Sequence, residues 1–280
     1  MREFAAGCLQ SLLGRVAAEC DRARAAPDED AVHDLRVSIR RTREALRVFR
    51  GLFRRKQARR LSRRLRAVMR RAGEVRNRDI AMALVRESAV EGWQQESNEL
   101  SRERSAAVEG LAESLHELGA LAPPELAPNP SPRWDAREGP AANARRLLPR
   151  LAAAYWKAGQ EAAQPGVPWE RMHAFRIATK HLRYTLELFA PLYGRALTKK
   201  FEVLRRVQNS LGRINDFETA KNLGPARRLA AHAGWISDRQ SEERTAFERL
   251  WEAEFAASRG GLDWERYLRR YAREAGRRAG

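Results

Sequence analysis

Apolar residues recur at intervals of three and four along most of the chain, which is the spacing of an amphipathic α-helix. The intervening positions are rich in Ala, Glu and Arg, and the Asn-Gly and Asp-Gly pairs that mark β-hairpins do not occur. The pattern therefore predicts an all-α protein. The predicted helices cover residues 1–25, 29–50, 56–75 and 79–117, the last with a bend at Gly92, and then 137–163, 169–189, 196–220, 225–256 and 262–277.

A proline-rich segment interrupts these helices near the middle of the chain. Residues 119–132, GALAPPELAPNPSP, contain five prolines in fourteen positions, which a continuous helix cannot accommodate. We therefore expect an N-terminal helical bundle over 1–118, a linker over 119–133 and a C-terminal helical bundle over 134–280. Each half has enough helices for an antiparallel four-helix bundle with short connections.

Two blocks of sequence recur in the same order in the two halves. The stretch VHDLRVSIRRTREALRVFR at 32–50 matches MHAFRIATKHLRYTLELFA at 172–190 in the pattern His-x-x-Arg-x-x-x-(Arg/Lys)-x-x-Arg. Likewise, LRAVMRRAGEVRNRDIA at 65–81 matches LRRVQNSLGRINDFETA at 204–220, with Gly73 aligned to Gly212. Two matching blocks in one order indicate duplication of a whole bundle. The fold prediction is thus two pseudo-symmetric antiparallel four-helix bundles that form one unit.

The first of these repeated helices carries a row of cations beside its apolar stripe. Its predicted core positions follow alternating steps of three and four: Val32, Leu35, Ile39, Thr42, Leu46, Phe49 and Phe53. One residue later, about 100° around the helix, lies a basic row made of His33, Arg36, Arg40, Arg43, Arg47 and Arg50. In the second copy the stripe is Met172, Phe175, Leu182, Leu186 and Phe189, and the row is His173, Arg176, Lys180 and Arg183. The second row is shorter because Glu187 follows it.

The next helix of each copy adds further cations. With Leu61, Leu65, Val68 and Val75 as core positions, one flank carries Arg59, Arg63, Arg66 and Arg70, and the other carries Arg60, Arg64 and Arg71. The second copy offers fewer: Lys199, Lys200, Arg205, Arg206 and Arg213.

The charge of the protein is confined to these repeated segments. The formal net charge is +18, and residues 31–71 hold 16 Lys and Arg but two Asp and Glu, while 171–213 hold ten and two. The rest of the chain is therefore slightly acidic, which a general arginine bias does not explain. Such rows favour a polyanionic partner. The alternative is that acids of flanking helices, such as those in 91–110, neutralise the rows within the fold.

Candidate chemistry is limited to anion binding. His33 and His173 fall in first helical turns, where free N–H groups and the helix dipole suit anions, although either histidine can instead brace two helices. The basic segments contain no His-x-x-x-His, Cys-x-x-Cys or acidic triad, and no catalytic triad or Gly-rich phosphate loop is evident. We therefore predict no metal, no cofactor and no catalytic residue. Four polar residues after the glycines are interpreted as caps or as partners that orient arginines: Asn77, Asp79, Asn215 and Asp216.

The remaining features indicate a soluble intracellular chain. Cys8 and Cys20 lie twelve residues apart in one predicted helix, about 18 Å along its axis and too far for a disulfide. No run of 18 apolar residues occurs, and the N-terminus lacks a secretory apolar region with a cleavage site. We expect reduced thiols and a cytoplasmic location.

The repeated blocks resemble the two halves of the CHAD family, the conserved histidine α-helical domain. The residues that carry the resemblance are AVHDLRVSIRRTREALRVF with GEVRNRD, and RMHAFRIATKHLRYTLELF with LGRIND. The resemblance implies two bundles whose basic helices line a central positive surface for inorganic polyphosphate, without known catalysis, at polyphosphate granules. The sequence departs from the family pattern at Ala72-Gly73 and at Asn77.

Position by position, the resemblance implies that His33, Arg36, Arg40, Arg43 and Arg66, and His173, Arg176, Lys180, Arg183 and Arg205, contact phosphate. The cationic rows add Arg47, Arg63, Lys199 and Arg206 as candidates.

Three other functions stay open at this point. RNA or single-stranded nucleic acid is the main alternative partner, although the Phe residues follow the apolar stripes and only Tyr184 and some Trp residues are left for base stacking. A metal-dependent polyphosphate hydrolase is another, and a coat on an anionic granule or membrane is a further possibility. The sequence does not indicate an oligomeric state.

Overall fold

The computed structural model describes residues 1–128, 134–135, 138–223, 230–256 and 260–273. The helices are α1 (Arg2–Ala25), α2 (Glu29–Val48), α3 (Arg55–Ser88), α4 (Trp93–Leu118), α5 (Pro140–Ala162), α6 (Trp169–Phe189), α7 (Ala196–Lys221), α8 (Ala230–Trp251) and α9 (Gly260–Arg270). A 3₁₀ turn at Ala190–Leu192 and a π-helical turn at Glu252–Ala256 extend α6 and α8. Within the described residues there is no β-strand, and a single isolated bridge joins Phe53 to Leu126. The all-α prediction is therefore confirmed.

Helix α3 differs from its prediction. The sequence predicts a break between residues 75 and 79, whereas α3 continues to Ser88, and that part of the prediction is wrong. The chain turns instead at 89–92, where Ala89 (φ 48°) and Gly92 (φ 84°) adopt left-handed conformations. Gly92 takes this conformation at little cost because it has no Cβ. The polar run at 76–79 stays helical because Val75 and Ala81 remain buried in the core. Residues 137, 225–229 and 274–277, which the sequence also predicts to be helical, lie outside the described residues.

The chain forms two compact units. One contains residues 2–131 and 216–239, and the other contains 132–215 and 240–280. The boundary near 131 falls inside the predicted linker. The sequence-based division placed 216–239 in the C-terminal bundle, and the structure groups it with the N-terminal helices. The apolar residues Phe217, Ala220 and Ile236 explain this grouping, because they bury themselves against Leu84 of α3. The pseudo-symmetry of two four-helix bundles stays a prediction.

The N-terminal unit packs its helices in chain order, with α1 on α2, α2 on α3 and α3 on α4. Asp28, a residue type preferred at helix N-caps, caps α2 by accepting a hydrogen bond from the Ala31 N–H at 2.7 Å. The predicted stripe of α2 is buried in full: Val32, Leu35, Ile39, Thr42, Leu46, Phe49 and Phe53. The predicted core positions of α3 are buried as well: Leu61, Leu65, Val68 and Val75. Burial of these two stripes fixes which way the adjacent cations face.

The first part of the predicted linker is docked on the N-terminal unit. The Arg54 N–H donates to the Glu125 carbonyl and the Ala127 N–H to the Leu52 carbonyl, both at 2.8 Å. Gln57 accepts from the Glu125 N–H at 2.7 Å. Residues 124–127 therefore close the turn between α2 and α3.

An aromatic core holds the C-terminal unit together. Tyr155 stacks on Phe175 with ring centroids 5.0 Å apart, and Trp251 meets Phe175 edge to face at 5.3 Å. The predicted stripe of α6 lies in this core: Met172, Phe175, Leu182, Leu186 and Phe189. Helix α9 is joined to the rest by a hydrogen bond from the Tyr193 hydroxyl to the Leu268 carbonyl at 2.8 Å.

Neither cysteine forms a disulfide, as predicted. Burial raises the pKa of the Cys20 thiol to about 11, so it is protonated at neutral pH. In the described part of the chain, no helix is long and apolar enough to cross a bilayer.

Candidate functional site

The basic row of α2 lies along the edge of the buried stripe, next to α3. Arg36, Arg40 and Arg43 are half-buried, whereas His33 and Arg47 are exposed. Half-buried guanidiniums keep their donors fixed while one side stays open to solvent. The row predicted from the sequence is therefore present on one face of the N-terminal unit.

Contacts of Arg36 and Arg43 join this row to α3. Arg36 Nη1 donates to the Met69 carbonyl at 3.3 Å and lies against the backbone of Gly73. Burial and the nearby positive charge of Arg66 together lower the pKa of Arg43. The α2 row and the Arg66 flank of α3 thus form one surface, here called the α2–α3 face: Arg36, Arg40, Arg43, Arg63 and Arg66.

The α2–α3 face has very few acidic partners. Among the residues that the structure describes, no carboxylate lies within 4.0 Å of Arg40, Arg43, Arg63 or Arg66. Arg40 Nε and Arg43 Nε are buried atoms that have no hydrogen-bond acceptor within the same set. A buried donor without an acceptor is costly. An anion bound on this face would satisfy both donors.

The opposite flank of α3 has a structural role. Arg64 donates to the Ala120 carbonyl at 3.0 Å, and Arg71 pairs with Glu74 at 3.1 Å and packs on Gly110 of α4. Farther along, Arg78 pairs with Glu103 of α4 at 3.3 Å. Neutralisation by acids of a flanking helix, the alternative left open by the sequence, therefore applies to Arg78, whereas Arg64 is held by a carbonyl and Arg71 by an acid of its own helix.

His33 and Arg47 lie on α2 at the two ends of the α2–α3 face. Partial dehydration, helped by the positive charges of Arg76 and Arg40, lowers the pKa of His33. Arg76 is ion-paired with Glu29 in the first turn of α2. At the other end, Arg47 Nε donates to the buried Glu44 carboxylate at 2.9 Å. Arg47, a predicted ligand, is thus already engaged within the fold.

Arg76 was not among the predicted site residues, although the duplication contains a signal for it. Its position corresponds to Asn215 in the second copy, three residues after the paired glycines. The structure brings Asn215 to His173 through a side-chain hydrogen bond. Asn215 thus contacts a histidine, whereas the sequence-based interpretation made it a cap or a partner that orients an arginine.

His173 begins the row of the C-terminal unit. Partial dehydration and the charges of Arg176 and Lys180 lower the pKa of His173, and the Asn215 hydrogen bond opposes that shift. Its Nδ1 is buried and has no hydrogen-bond partner among the described residues. The imidazole also meets the ring of Trp169, with centroids 5.4 Å apart. Arg176, Lys180 and Arg183 follow, all half-buried.

Several cations of this unit are paired with acids. Arg183 lies 3.3 Å from Glu187, and Arg206 is ion-paired with Glu254. Lys200 lies over the rings of Trp264 and Tyr267, at 4.6 and 5.1 Å from their centroids. Lys199 and Arg205 are exposed. Each predicted row therefore has one arginine beside a glutamate of its own helix, Arg47 with Glu44 and Arg183 with Glu187. Arg183 Nε nevertheless has no hydrogen-bond acceptor among the described residues, and the further ion pair of Arg206 lies on α7.

Aromatic side chains are scarce on the cationic faces. Phe49, Phe53, Phe175 and Tyr184 are all buried, so Tyr184 does not provide a stacking platform. Trp169 beside His173 is half-buried.

No cluster of three His, Cys, Asp or Glu side chains that would hold a metal ion occurs in the described ranges. Asp79, one of the four polar residues singled out from the sequence, is buried and pairs with Arg104 of α4 at 2.6 Å.

The sequence and the architecture are similar to those of known proteins. A family model described as CHAD domain matches residues 7–224. The crystal structure of the CHAD domain from the plant Ricinus communis matches with a TM-score of 0.63 and 20% identity, covering 96% of this chain and 91% of that chain. PptA from Streptomyces chartreusis matches with a TM-score of 0.60 and 16% identity, covering 90% and 99%. No curated protein matches the chain.

Proposed function

We propose that this chain, which belongs to the CHAD domain family, binds inorganic polyphosphate through its basic helices and does not catalyse a reaction. The family resemblance supports polyphosphate as the partner. The α2–α3 face favours an extended polyanion as the ligand, because its cations lie along the edge of α2 and continue onto the neighbouring helix α3. We further propose that the protein acts in the cytoplasm, at polyphosphate granules.

The observation that carries this proposal is the near absence of acids on the α2–α3 face. Arg40, Arg43, Arg63 and Arg66 have no carboxylate within 4.0 Å among the described residues, so their mutual repulsion is uncompensated by salt bridges. Guanidinium groups bind phosphate oxygens through two parallel hydrogen bonds. A polymer with one charge per phosphate would relieve the repulsion and satisfy the buried Arg40 and Arg43 donors.

Nucleic acid is the second candidate partner. Single-stranded nucleic acid is usually held by exposed aromatic rings in addition to cations. The α2–α3 face offers no such ring, since Phe49 and Phe53 are buried, and Trp169 in the other unit already contacts His173. A phosphate chain without bases fits this chemistry better.

A competition experiment tests the choice of partner. We expect long-chain polyphosphate to displace fluorescently labelled polyphosphate from the protein at least about tenfold more effectively than single-stranded RNA of equal charge, at 150 mM salt. The binding should weaken steeply as salt rises, because each phosphate contact releases counterions. Equal or better displacement by RNA would favour the nucleic-acid function instead.

The absence of catalysis is tested on the same protein. We expect no orthophosphate release from polyphosphate when Mg²⁺ or Mn²⁺ is present. Metal-dependent release that tracks the purified protein would show a hydrolase and would overturn this part of the proposal.

A further inference from the structure

We propose that the two copies of the duplicated basic helices are unequal, and that the α2–α3 face is the primary anchoring site for the polyanion. The corresponding surface of the C-terminal unit, on α6 and α7, is a weaker secondary site. This inference rests on the proposed polyphosphate binding and assigns its affinity to particular residues.

The cations of the α2–α3 face differ from those of the C-terminal unit in their acidic neighbours. Arg40, Arg43, Arg63 and Arg66 carry full charges on one face without carboxylate partners among the described residues. Arg43 and Arg66 are close enough for the charge of Arg66 to lower the pKa of Arg43. A bound phosphate therefore gains attraction to several cations and breaks no existing ion pair among these four residues.

Several cations of α6 and α7 in the C-terminal unit already lie beside a carboxylate. Arg183, which corresponds to Arg43, already faces Glu187 at 3.3 Å. Arg206 is paired with Glu254, and Arg213 lies 3.4 Å from Glu243. Phosphate at these positions must compete with a carboxylate that stays nearby, so each contact yields less net attraction.

The alignment of the two copies shows where they differ in charge. With Gly73 aligned to Gly212, Arg66 falls on Arg205, but Arg63 falls on Glu202 and Arg70 on Asn209. Glu202 is exposed on α7. These three flank positions, all arginine in the first copy, thus hold one arginine, one acid and one asparagine in the second. The second copy therefore carries less positive charge than the first at these aligned positions.

Two double variants with equal change of charge compare the copies. One is Arg40→Gln with Arg43→Gln, and the other is Lys180→Gln with Arg183→Gln at the corresponding positions. We expect the first to raise the Kd for long-chain polyphosphate at least about tenfold and to lower the salt-dependence slope by about 2. We expect the second to raise the Kd less than about threefold. Circular dichroism checks that both variants remain helical.

A charge-reversal variant tests the same idea by gain of function. Glu202→Arg places a cation where the first copy has Arg63, and we expect it to tighten polyphosphate binding by about threefold or more. The matched control is Glu252→Arg, which makes the same change of charge at an exposed position of the C-terminal unit outside α6 and α7. We expect the control to change the Kd much less.

The outcomes separate this inference from the proposed function. If the unmodified protein does not bind polyphosphate, the proposed function itself is wrong. If it binds but the two double variants weaken binding equally, or the C-terminal pair weakens it more, the copies are equivalent or reversed and this inference is overturned. Equal effects of Glu202→Arg and Glu252→Arg would show that net charge alone, and not position on α7, sets the affinity.

Discussion

A single side chain, Arg36, depends on a glycine in the neighbouring helix. Its Nη1 atom donates to the Met69 carbonyl and lies where a Cβ on Gly73 would come within 2.9 Å. The matching Gly212 has open space around the same point. A Cβ at position 73 would therefore push the Arg36 guanidinium away from its present place against α3, whereas a Cβ at position 212 would meet no such contact.

This difference leads to a prediction at one residue. Gly73→Ala should displace the Arg36 guanidinium and weaken polyphosphate binding by about threefold, since one oriented charge contact is lost. Both Gly73→Ala and Gly212→Ala should keep or raise stability, because alanine favours an interior helix position by about 0.5–1 kcal/mol. Titration of polyphosphate with each variant measures the first effect, and urea unfolding measures the second.

The control is Gly212→Ala, which should bind as the unmodified protein does. Weaker binding by both alanine variants would mean that helix packing in general, and not the position of Arg36, affects the site.

At the scale of elements, α3 and α4 are joined by a buried ion pair. Asp79 of α3 is almost fully buried and lies 2.6 Å from Arg104 of α4, which also donates to the Pro27 carbonyl at 2.8 Å. A second pair, Arg78 with Glu103, joins the same two helices nearer the surface. One pair of helices therefore offers a buried and an exposed interaction for direct comparison.

We predict that Arg104→Ala lowers the free energy of unfolding by about 3 kcal/mol, because it leaves the Asp79 carboxylate buried without its partner. Arg78→Ala should cost less than about 1 kcal/mol, since partly exposed ion pairs contribute little. Urea unfolding followed by circular dichroism at pH 7.5 measures both changes. Similar losses for the two variants would argue against burial as the source of the difference.

The opposite flanks of α3 illustrate how packing assigns roles to similar residues. Arg63 and Arg64 are adjacent in sequence, and both lie in a segment that periodicity alone marks as basic. Arg64 binds a backbone carbonyl at the end of α4, whereas Arg63 is exposed. The helix that packs against one flank decides which arginines are structural.

At the scale of the whole molecule, three histidines link the fold to pH. Partial dehydration lowers the pKa of His33, His173 and His232. The positive charges of Arg76, Arg40 and Arg36 lower the pKa of His33 further, and Asp34 opposes them. Arg176 and Lys180 likewise lower the pKa of His173. At His232, the charge of Glu96 opposes the lowering of the pKa. The folded protein therefore binds fewer protons than the unfolded chain.

The sign of the pH effect follows from this difference. Stability should be fully present above the unfolded histidine pKa of about 6.5 and should fall as pH drops below it. A bound polyanion favours protonated His33 and His173, so we predict that affinity for polyphosphate rises about threefold or more from pH 7.5 to 5.5. Binding titrations at both values measure the change.

The control for the pH effect is His33→Asn with His173→Asn, which should flatten the pH dependence of binding while leaving His232 to affect stability. An unchanged pH dependence in that variant would mean that these histidines brace helices and do not sense the ligand.

The sequence by itself determined the helical class, the buried stripes, the duplication and the basic rows, because periodicity and charge are local properties of a helix. The resemblance drawn from the repeated blocks is confirmed by the family match over 7–224. The continuation of α3 to Ser88 was not predicted, because the polar residues at 76–79 suggest a break between helices. In the structure one of them, Asp79, is buried in an ion pair with Arg104 of α4.

Only the tertiary structure decided which cations remain available. Arg206 and Arg64 both belong to the basic segments, yet Arg206 is ion-paired with Glu254 and Arg64 donates to the Ala120 carbonyl, partners that lie far away along the chain. The same structure gives 216–239 to the N-terminal unit. Whether a cationic side chain is ion-paired within the fold depends on side-chain geometry and on which residues pack beside it. The order of residues along the chain does not contain that information.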